Sequence, residues 1–367
     1  MATDTKKNTV KPSFDKDTII TVDDFLKYNT SLDPIAQANT LPLTGINHSG
    51  VASTSTLNRD HRGYVFFTRP QLNMTSDNLA RDRRFFNLLT NNPNSVYSYL
   101  RQTLDPRMGY DPKIALSMLV DNKSPFIPLL TNNIINLSGF PDVVAPVYVS
   151  AAGVRREQWA IVDGSTDITD AFDIDCTFRN TKEDPVVAMM QTWLLYMSLA
   201  FEGNVVRYPD MAAENRIDYN TRIWRIVLDE SKRYVKRIGA TGASFPVNVP
   251  MGKLFDYASD TAYVVNTKEV NIRFKSLGST YNDAILVKEF NTLATIFNPK
   301  LNAVIAGGFK PTDDYDYIPH HLLDKVNYTG YPLINFETYE LMWFVDKQTR
   351  VYKTLKKLQQ YDTDNKG

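Results

Sequence analysis

Apolar and polar positions change their period repeatedly along this chain, and each change marks a different kind of element. Residues 1–20, MATDTKKNTVKPSFDKDTII, show no apolar period and predict a flexible arm. TVDDFLKY, from Thr21 to Tyr28, predicts a short helix capped by Thr21, and the text to Arg62 is a long irregular segment rich in Ser, Thr, Asn, Gly and Pro. An apolar strand follows, Tyr64-Val65-Phe66-Phe67, halted at Thr68-Arg69-Pro70 and resumed as Leu72-Asn73-Met74. Proline brings no amide donor, so strand pairing is expected to stop there. The strand extends either its own sheet or a neighbour's.

From 76 to 137 the period lengthens to that of helices. Ser76 or Asp77 caps NLARDRRFFNLLT, with Leu79, Phe86 and Leu89 on one face, and Asn94 or Ser95 caps VYSYLRQTL. DPKIALSMLV, with Pro112 near its first turn, and SPFIPLLTNNIINL, interrupted by Pro128, predict two more helices.

Beyond Pro141 the period drops to two. VVAPVYVS, VRREQWAIVDG and AFDIDCTFRN predict short strands joined by tight turns. Asp184 as cap, Pro185 at the first helical position and Gly203 as terminator bracket a helix, PVVAMMQTWLLYMSLAFE, with Val186, Met189, Met190, Trp193, Met197, Ala200 and Phe201 on its apolar face. Thr221–Asp229 and KRYVKRIGA form a hairpin through Glu230-Ser231, and TGASFPVNVPMG predicts a loop. EVNIRFKSLG is a strand, AILVKEFNTLATIF a helix capped by Asn282 or Asp283, and TRVYKTLKKLQQYD a last helix whose Lys353, Lys356 and Lys357 form a solvated face.

Strands, helix, strands, helix argue for an α+β protein with an antiparallel sheet covered by helices, not a doubly wound parallel sheet. The expected organisation is an extended arm over 1–62, a strand plus mainly helical region over 63–140, a sheet and helix domain over 141–300, and a C-terminal extension with a terminal helix over 301–367.

Composition narrows the function more than the fold. Lys plus Arg and Asp plus Glu both number 41, so the basic excess of a general nucleic-acid binder is missing. The 20 tyrosines suit surfaces that become buried against partners. No secretion signal or membrane-spanning run is seen, and one cysteine, Cys176, cannot form an intrachain disulfide; on the apolar side of a strand it reads as a small core residue.

Candidate chemistry is sparse. His320 and His321 follow Asp313, Asp314 and Asp316, a local set of possible metal ligands, but adjacent strand residues point to opposite sides and no H-E-x-x-H accompanies them. His48 and His61 stand apart. Gly239 and Gly242 lack the Lys-Ser/Thr of a phosphate loop, and Glu214 and Asp218 lack a matched catalytic partner. No catalytic residue, cofactor site or metal site is assigned, and the chain is read as a non-enzyme.

The stretch from Val143 to Phe297, with the phrases Ile217-Asp218-Tyr219, Phe245-Pro246, Asp283 and Glu289-Phe290-Asn291, resembles the tube-forming proteins of contractile bacteriophage tails. The resemblance implies a barrel-like antiparallel sheet with flanking helices, joining its neighbours' sheets in a homo-oligomeric ring around a DNA-conducting channel. It implies a virion location in the tail, assembly in the bacterial host cytoplasm, other tail and baseplate proteins as partners, and no membrane partner. Tube subunits of that family are usually shorter. The surplus of about 140 residues before the sheet region and about 70 after it resembles a baseplate tube initiator or adaptor of a large (jumbo) myophage. Other readings are another virion ring (neck, tail terminator or sheath-associated protein) and a soluble metal-binding enzyme using DDYDYIPHH.

Overall fold

The most apolar strand of the N-terminal half is where the chain enters its main sheet. A computed structural model describes residues 60–109, 113–257, 259–260 and 268–364. The expected arm up to residue 59, the helix at Thr21–Tyr28 and His48 lie outside them. Strand β1 (His61–Phe67) pairs antiparallel within its own subunit, with Phe66 opposite Trp224 and Phe67 opposite Ile223. Gly63 sits at φ +64, and a Cβ there would fall 2.0 Å from the Ile226 carbonyl oxygen, so this position accepts only glycine.

The next region is less helical than its sequence predicts. Helix α1 (Ser76–Leu79) lasts one turn, and Arg83–Leu89 is a 3₁₀ helix, started where the Asp82 side chain accepts the Arg84 amide at 2.8 Å. The tighter turn places side chains three apart on one face. Phe85 and Leu88 are therefore buried, while the expected Phe86 is 74% exposed. Helix α2 (Val96–Leu104) forms as expected, with Ser95 accepting the Tyr97 amide. No helix forms over residues 113–120. The Ala115 carbonyl, which a helix would give to the Leu119 amide, takes the Arg101 guanidinium instead, and the Leu119 amide donates to Ser117 Oγ. Pro128 begins α3 (Pro128–Asn133) rather than interrupting a helix, as its fixed φ allows, and β-branched Ile134-Ile135 then leads into β2 (Ile134–Ser138).

Two short strands, β3 (Val147–Val149) and β4 (Ala160–Val162), pair with each other and with no other strand among the described residues. Strand β5 (Ile168–Arg179) returns to the main sheet. Helix α4 (Pro185–Glu202) runs as expected to Gly203, which takes φ +78 at its end. Asp184 occupies the cap position but departs from its expected role. Its backbone is left-handed, and its carboxylate accepts from the Asn180 amide group rather than from the helix. The buried face of α4 is Val186, Met189, Met190, Trp193, Tyr196 and Leu199, whereas Phe201 points outward at 94% exposure.

After α5 (Pro209–Ala213), the hairpin of β6 (Ile223–Leu228) and β7 (Val235–Pro246) forms, but β7 continues through the predicted loop. TGASFP pairs residue by residue with β8 (Glu269–Tyr281), beyond α6 (Met251–Phe255). The reason is close approach: a Cβ on Gly242 would lie 2.5 Å from the Leu277 carbonyl oxygen. The small side chains also form a buried hydroxyl chain, with Ser244 Oγ donating to Thr241 Oγ1 at 2.8 Å and accepting from Ser276 Oγ at 2.7 Å. Helix α7 (Ala284–Phe297) is capped by Asp283, which accepts the Ile285 amide at 2.9 Å.

The main sheet is thus antiparallel throughout, in the order β1-β6-β7-β8-β5-β2. It is barrel-like and nearly closed, with flanking helices. Helix α4 packs its buried face with Ile174, Cys176, Phe178, Val270, Ile272 and Phe274 in one core. A second core joins Phe66, Trp224, Ile226 and Phe290 of α7 to the C-terminal extension. That extension holds α8 (Leu301–Ala306), a sheet of β9 (Tyr315–Ile318), β10 (Tyr331–Ile334) and β11 (Leu341–Asp346) in the order β10-β11-β9, and α9 (Arg350–Asp364). Asn291 of α7 pins it down, donating to the Ile334 carbonyl at 2.7 Å and accepting the Ile334 amide at 2.8 Å.

Candidate assembly surfaces

A two-stranded hairpin is marginal in water unless something packs on it. In β3 and β4 every residue is exposed, and the apolar ones are large: Val147, Tyr148, Val149, Ile161 and Val162, with Trp159 beside them at 58% exposure. Tyr148 and Trp159 lean on each other with ring centroids 5.8 Å apart, and the Ser150 amide reaches the Trp159 carbonyl at 2.9 Å. At the open end of the hairpin the Asp163 amide donates to the Pro146 carbonyl at 2.8 Å, holding the two incoming segments together. Exposed apolar side chains on both faces of so small a hairpin make it a candidate contact with another molecule. Its sequence signal was strand-like apolar runs, VYV and AIV, with no sign of what would cover them.

The sheet margins differ. At the C-terminal end of β1 the outer side is occupied, since the Ile127 amide donates to the Phe67 carbonyl at 2.9 Å and Thr68 bridges to Phe126. Strand β2 pairs with β5 on one side, and among the described residues no strand pairs with its other side. An open margin of this sort is a template for strand addition.

A third surface is polar. The face of β5 and β8 turned away from α4 carries Asp173 opposite Lys275 at 3.0 Å and Asp175 opposite Arg273 at 2.9 Å, with Arg179 opposite Glu269 in the ladder.

The residues singled out for chemistry are dispersed or structural. Asp314 pairs with Lys300 at 2.9 Å, Asp316 with Lys356 at 3.0 Å, and His320 lies 3.5 Å from Glu340. Burial and the nearby Arg233 lower the His320 pKa. Among the described residues, no three His, Cys, Asp or Glu side chains converge as a metal site. His61 accepts the Gly63 amide at 3.1 Å and helps shape the glycine turn. Cys176 is buried, and burial pushes its thiol pKa far up. Gly239 and Gly242 lie within paired β7. Glu214 forms an exposed pair with Arg216, whereas Asp218 is buried and accepts the Tyr196 hydroxyl at 2.6 Å. No described helix is long and apolar enough to cross a membrane.

Sequence reasoning passed over Arg69 and Asp105. Both are buried, and together they shape the irregular region. Arg69 donates to the Thr103 carbonyl at 2.9 Å, to those of Asp121 and Ser124 at 3.2 Å, and to that of Gln102. Asp105 accepts the Met74 amide at 2.9 Å and the Tyr208 hydroxyl at 2.7 Å, and burial raises its pKa to about 6. The one available signal was Thr68-Arg69-Pro70, a charge at the end of an apolar strand.

Residues 2–359 match a family model described as "Putative phage tail tube protein". The cryo-EM structure of the anti-feeding prophage cap (AFP tube terminating cap) is similar over 43% of this chain and 82% of that chain, at 12% identity and a TM-score of 0.27. No curated protein matches the sequence.

Proposed function

Because that family model spans nearly the whole chain, the protein belongs to the phage tail tube family, and on this premise we propose that it builds a homo-oligomeric ring of the tail tube or of its baseplate end, around a channel that conducts DNA. The family makes it a structural component of the tail. The observation that carries the finer reading is the β3–β4 hairpin, an apolar projection with no cover among the described residues.

Burying six large apolar side chains gives a gross gain on the order of 10 kcal/mol, enough to offset a substantial part of the cost of association. Strand addition at the open β2 margin would supply directional hydrogen bonds to the same contact. Obligate interfaces of this type bury on the order of 2,000 Å² or more. The hairpin and the margin are different surfaces, so a contact joining one to the other is heterologous, and such contacts close into rings or extend into tubes. The C-terminal extension and α1–α3 fit the reading of a tube initiator or adaptor in a contractile, jumbo-type tail, since they supply surface for unlike neighbours. In this reading the subunit is made in the host cytoplasm and remains in the virion.

The test replaces residues 147–162 with a short Gly-Ser turn, which the Pro146–Asp163 hydrogen bond leaves room to close. Negative-stain microscopy of the wild-type chain should show rings or tubes. The shortened chain should remain a folded subunit with unchanged thermal unfolding. Normal assembly without the hairpin would refute its role.

A further inference from the structure

Resting on the tube reading above, we propose that a cavity at the seam between the irregular region and the C-terminal extension is the socket for Trp159 of a second copy of this chain. The cavity measures about 300 Å³. Ligand pockets run from roughly 300 to 1,000 Å³, so one of this size takes a single large side chain better than an extended small molecule. Its walls are largely aromatic. Phe66 and Phe126 have ring centroids 4.7 Å apart, Trp343 stands 6.5 Å from Phe66, and Tyr328 stands 5.7 Å from Trp343, all four lining the space. Thr131 also lines it, and its Oγ1 is enclosed with no hydrogen-bond partner among the described residues. At the rim Leu119 is 81% exposed, with Met118 beside it at 93%, so the entrance is apolar too.

Three arguments select the occupant. Of the four tryptophans, Trp193, Trp224 and Trp343 are buried, whereas Trp159 is exposed on the hairpin. An indole brings broad apolar faces and one N–H donor, the complement of aromatic walls with an unused hydroxyl acceptor, and tryptophan is enriched among the side chains that dominate binding energy. The second argument is continuity. Thr131 and Asn132 of α3 line the cavity, and two residues further on the chain enters β2, whose outer margin pairs with no described strand. Socket and margin therefore belong to one flank, the flank that receives a strand in the tube reading. The third is register. The hairpin strands are three residues each, so backbone pairing alone offers few hydrogen bonds and permits slippage. In strand addition the main chain supplies affinity and a side-chain pocket supplies specificity, which is the part the socket plays.

The test uses full-length chains in three variants. W159A lacks the anchor and keeps the socket; L119R and T131W keep the anchor and obstruct the socket, one at its rim and one within it. Wild-type protein should form rings or tubes. Each variant alone should need at least about a 30-fold higher concentration to assemble, the loss expected for a hot-spot residue. Mixed one to one, W159A and L119R should pair into heterodimers and stop there, as read by light scattering after size exclusion, because each pair holds one intact socket facing one intact anchor. W159A with T131W should do the same, and if T131W fails to fold, L119R carries the comparison alone. Normal assembly of any one folded variant overturns the inference while leaving the assembly reading intact. So do variants that fail alone and stay monomeric when mixed. Absence of rings and tubes from the wild-type chain refutes the assembly reading itself, and the socket's occupant with it.

Discussion

Residues 69–127 and the β5–β8–α4 layer satisfy their backbones by different means. In the layer, ten ladder pairs between β5 and β8 satisfy the backbone, and alternate side chains fill a core against α4. Among the described residues between 69 and 127 there is no strand ladder. Arg69 donates to last-turn carbonyls of α2 and to loop carbonyls beyond it, Arg101 donates to the Ala115 carbonyl, Asp105 accepts an amide and a tyrosine hydroxyl, and Asn78 brackets Val206 from both sides. Regular elements satisfy their polar groups by repetition, so losing one residue is a local injury. An irregular segment depends on a few side chains that each serve several backbone groups.

The contrast is sharpest at Arg69. Arg69→Ala leaves several buried carbonyls without donors at about 1–3 kcal/mol apiece, so a loss on the order of 5 kcal/mol is expected in denaturant titration. Arg69→Lys should recover little of it, because an ammonium lacks the planar fork that reaches carbonyls in different directions. In the regular layer Leu199→Ala should cost about 3 kcal/mol, the usual sum of lost transfer and cavity terms. If Arg69→Ala proves milder than Leu199→Ala, the comparison fails.

Asp105 gives the irregular region a pH signature. Its folded pKa, raised by burial to about 6, lies above the ordinary 3.8, so its contribution is full below the ordinary value and is lost as pH climbs through 6. That contribution is about 3 kcal/mol between the two limits. Stability measured from pH 4 to 7 should therefore decline with rising pH more steeply in wild type than in Asp105→Asn, and parallel slopes would remove Asp105 as the cause. The smallest effect belongs to the hairpin. Deleting it should shift subunit stability by no more than about 0.5 kcal/mol, as expected for a surface feature that packs on nothing among the described residues.

The same division explains how much of the fold was legible. Where apolar period and end signals agree, as in α4, α7, β5 and β8, the elements lie where the sequence places them. TGASFP was misread because its glycines and hydroxyls look like turn formers. Here they let two backbones approach and fill a buried hydroxyl chain. DPKIALSMLV failed as a helix because a distant guanidinium took a carbonyl the helix needed, a competition no local window contains. The assembly surfaces were half visible. The run VYV…AIV was read as strand, but its complete exposure is a tertiary fact, and so is the opposition of Asp175 to Arg273, which lie 98 residues apart.

The strap from Phe126 to Ser138 has a mechanical consequence. It closes the end of the β1 edge at Phe67 and Thr68 and, after one short helix, becomes the β2 rim, with which no described strand pairs on its outer side. A subunit with one welded seam and one bare seam has polarity: it can recruit a strand along one flank and must offer something other than that welded flank in return. Handedness of growth would then be written into each monomer before any neighbour arrives.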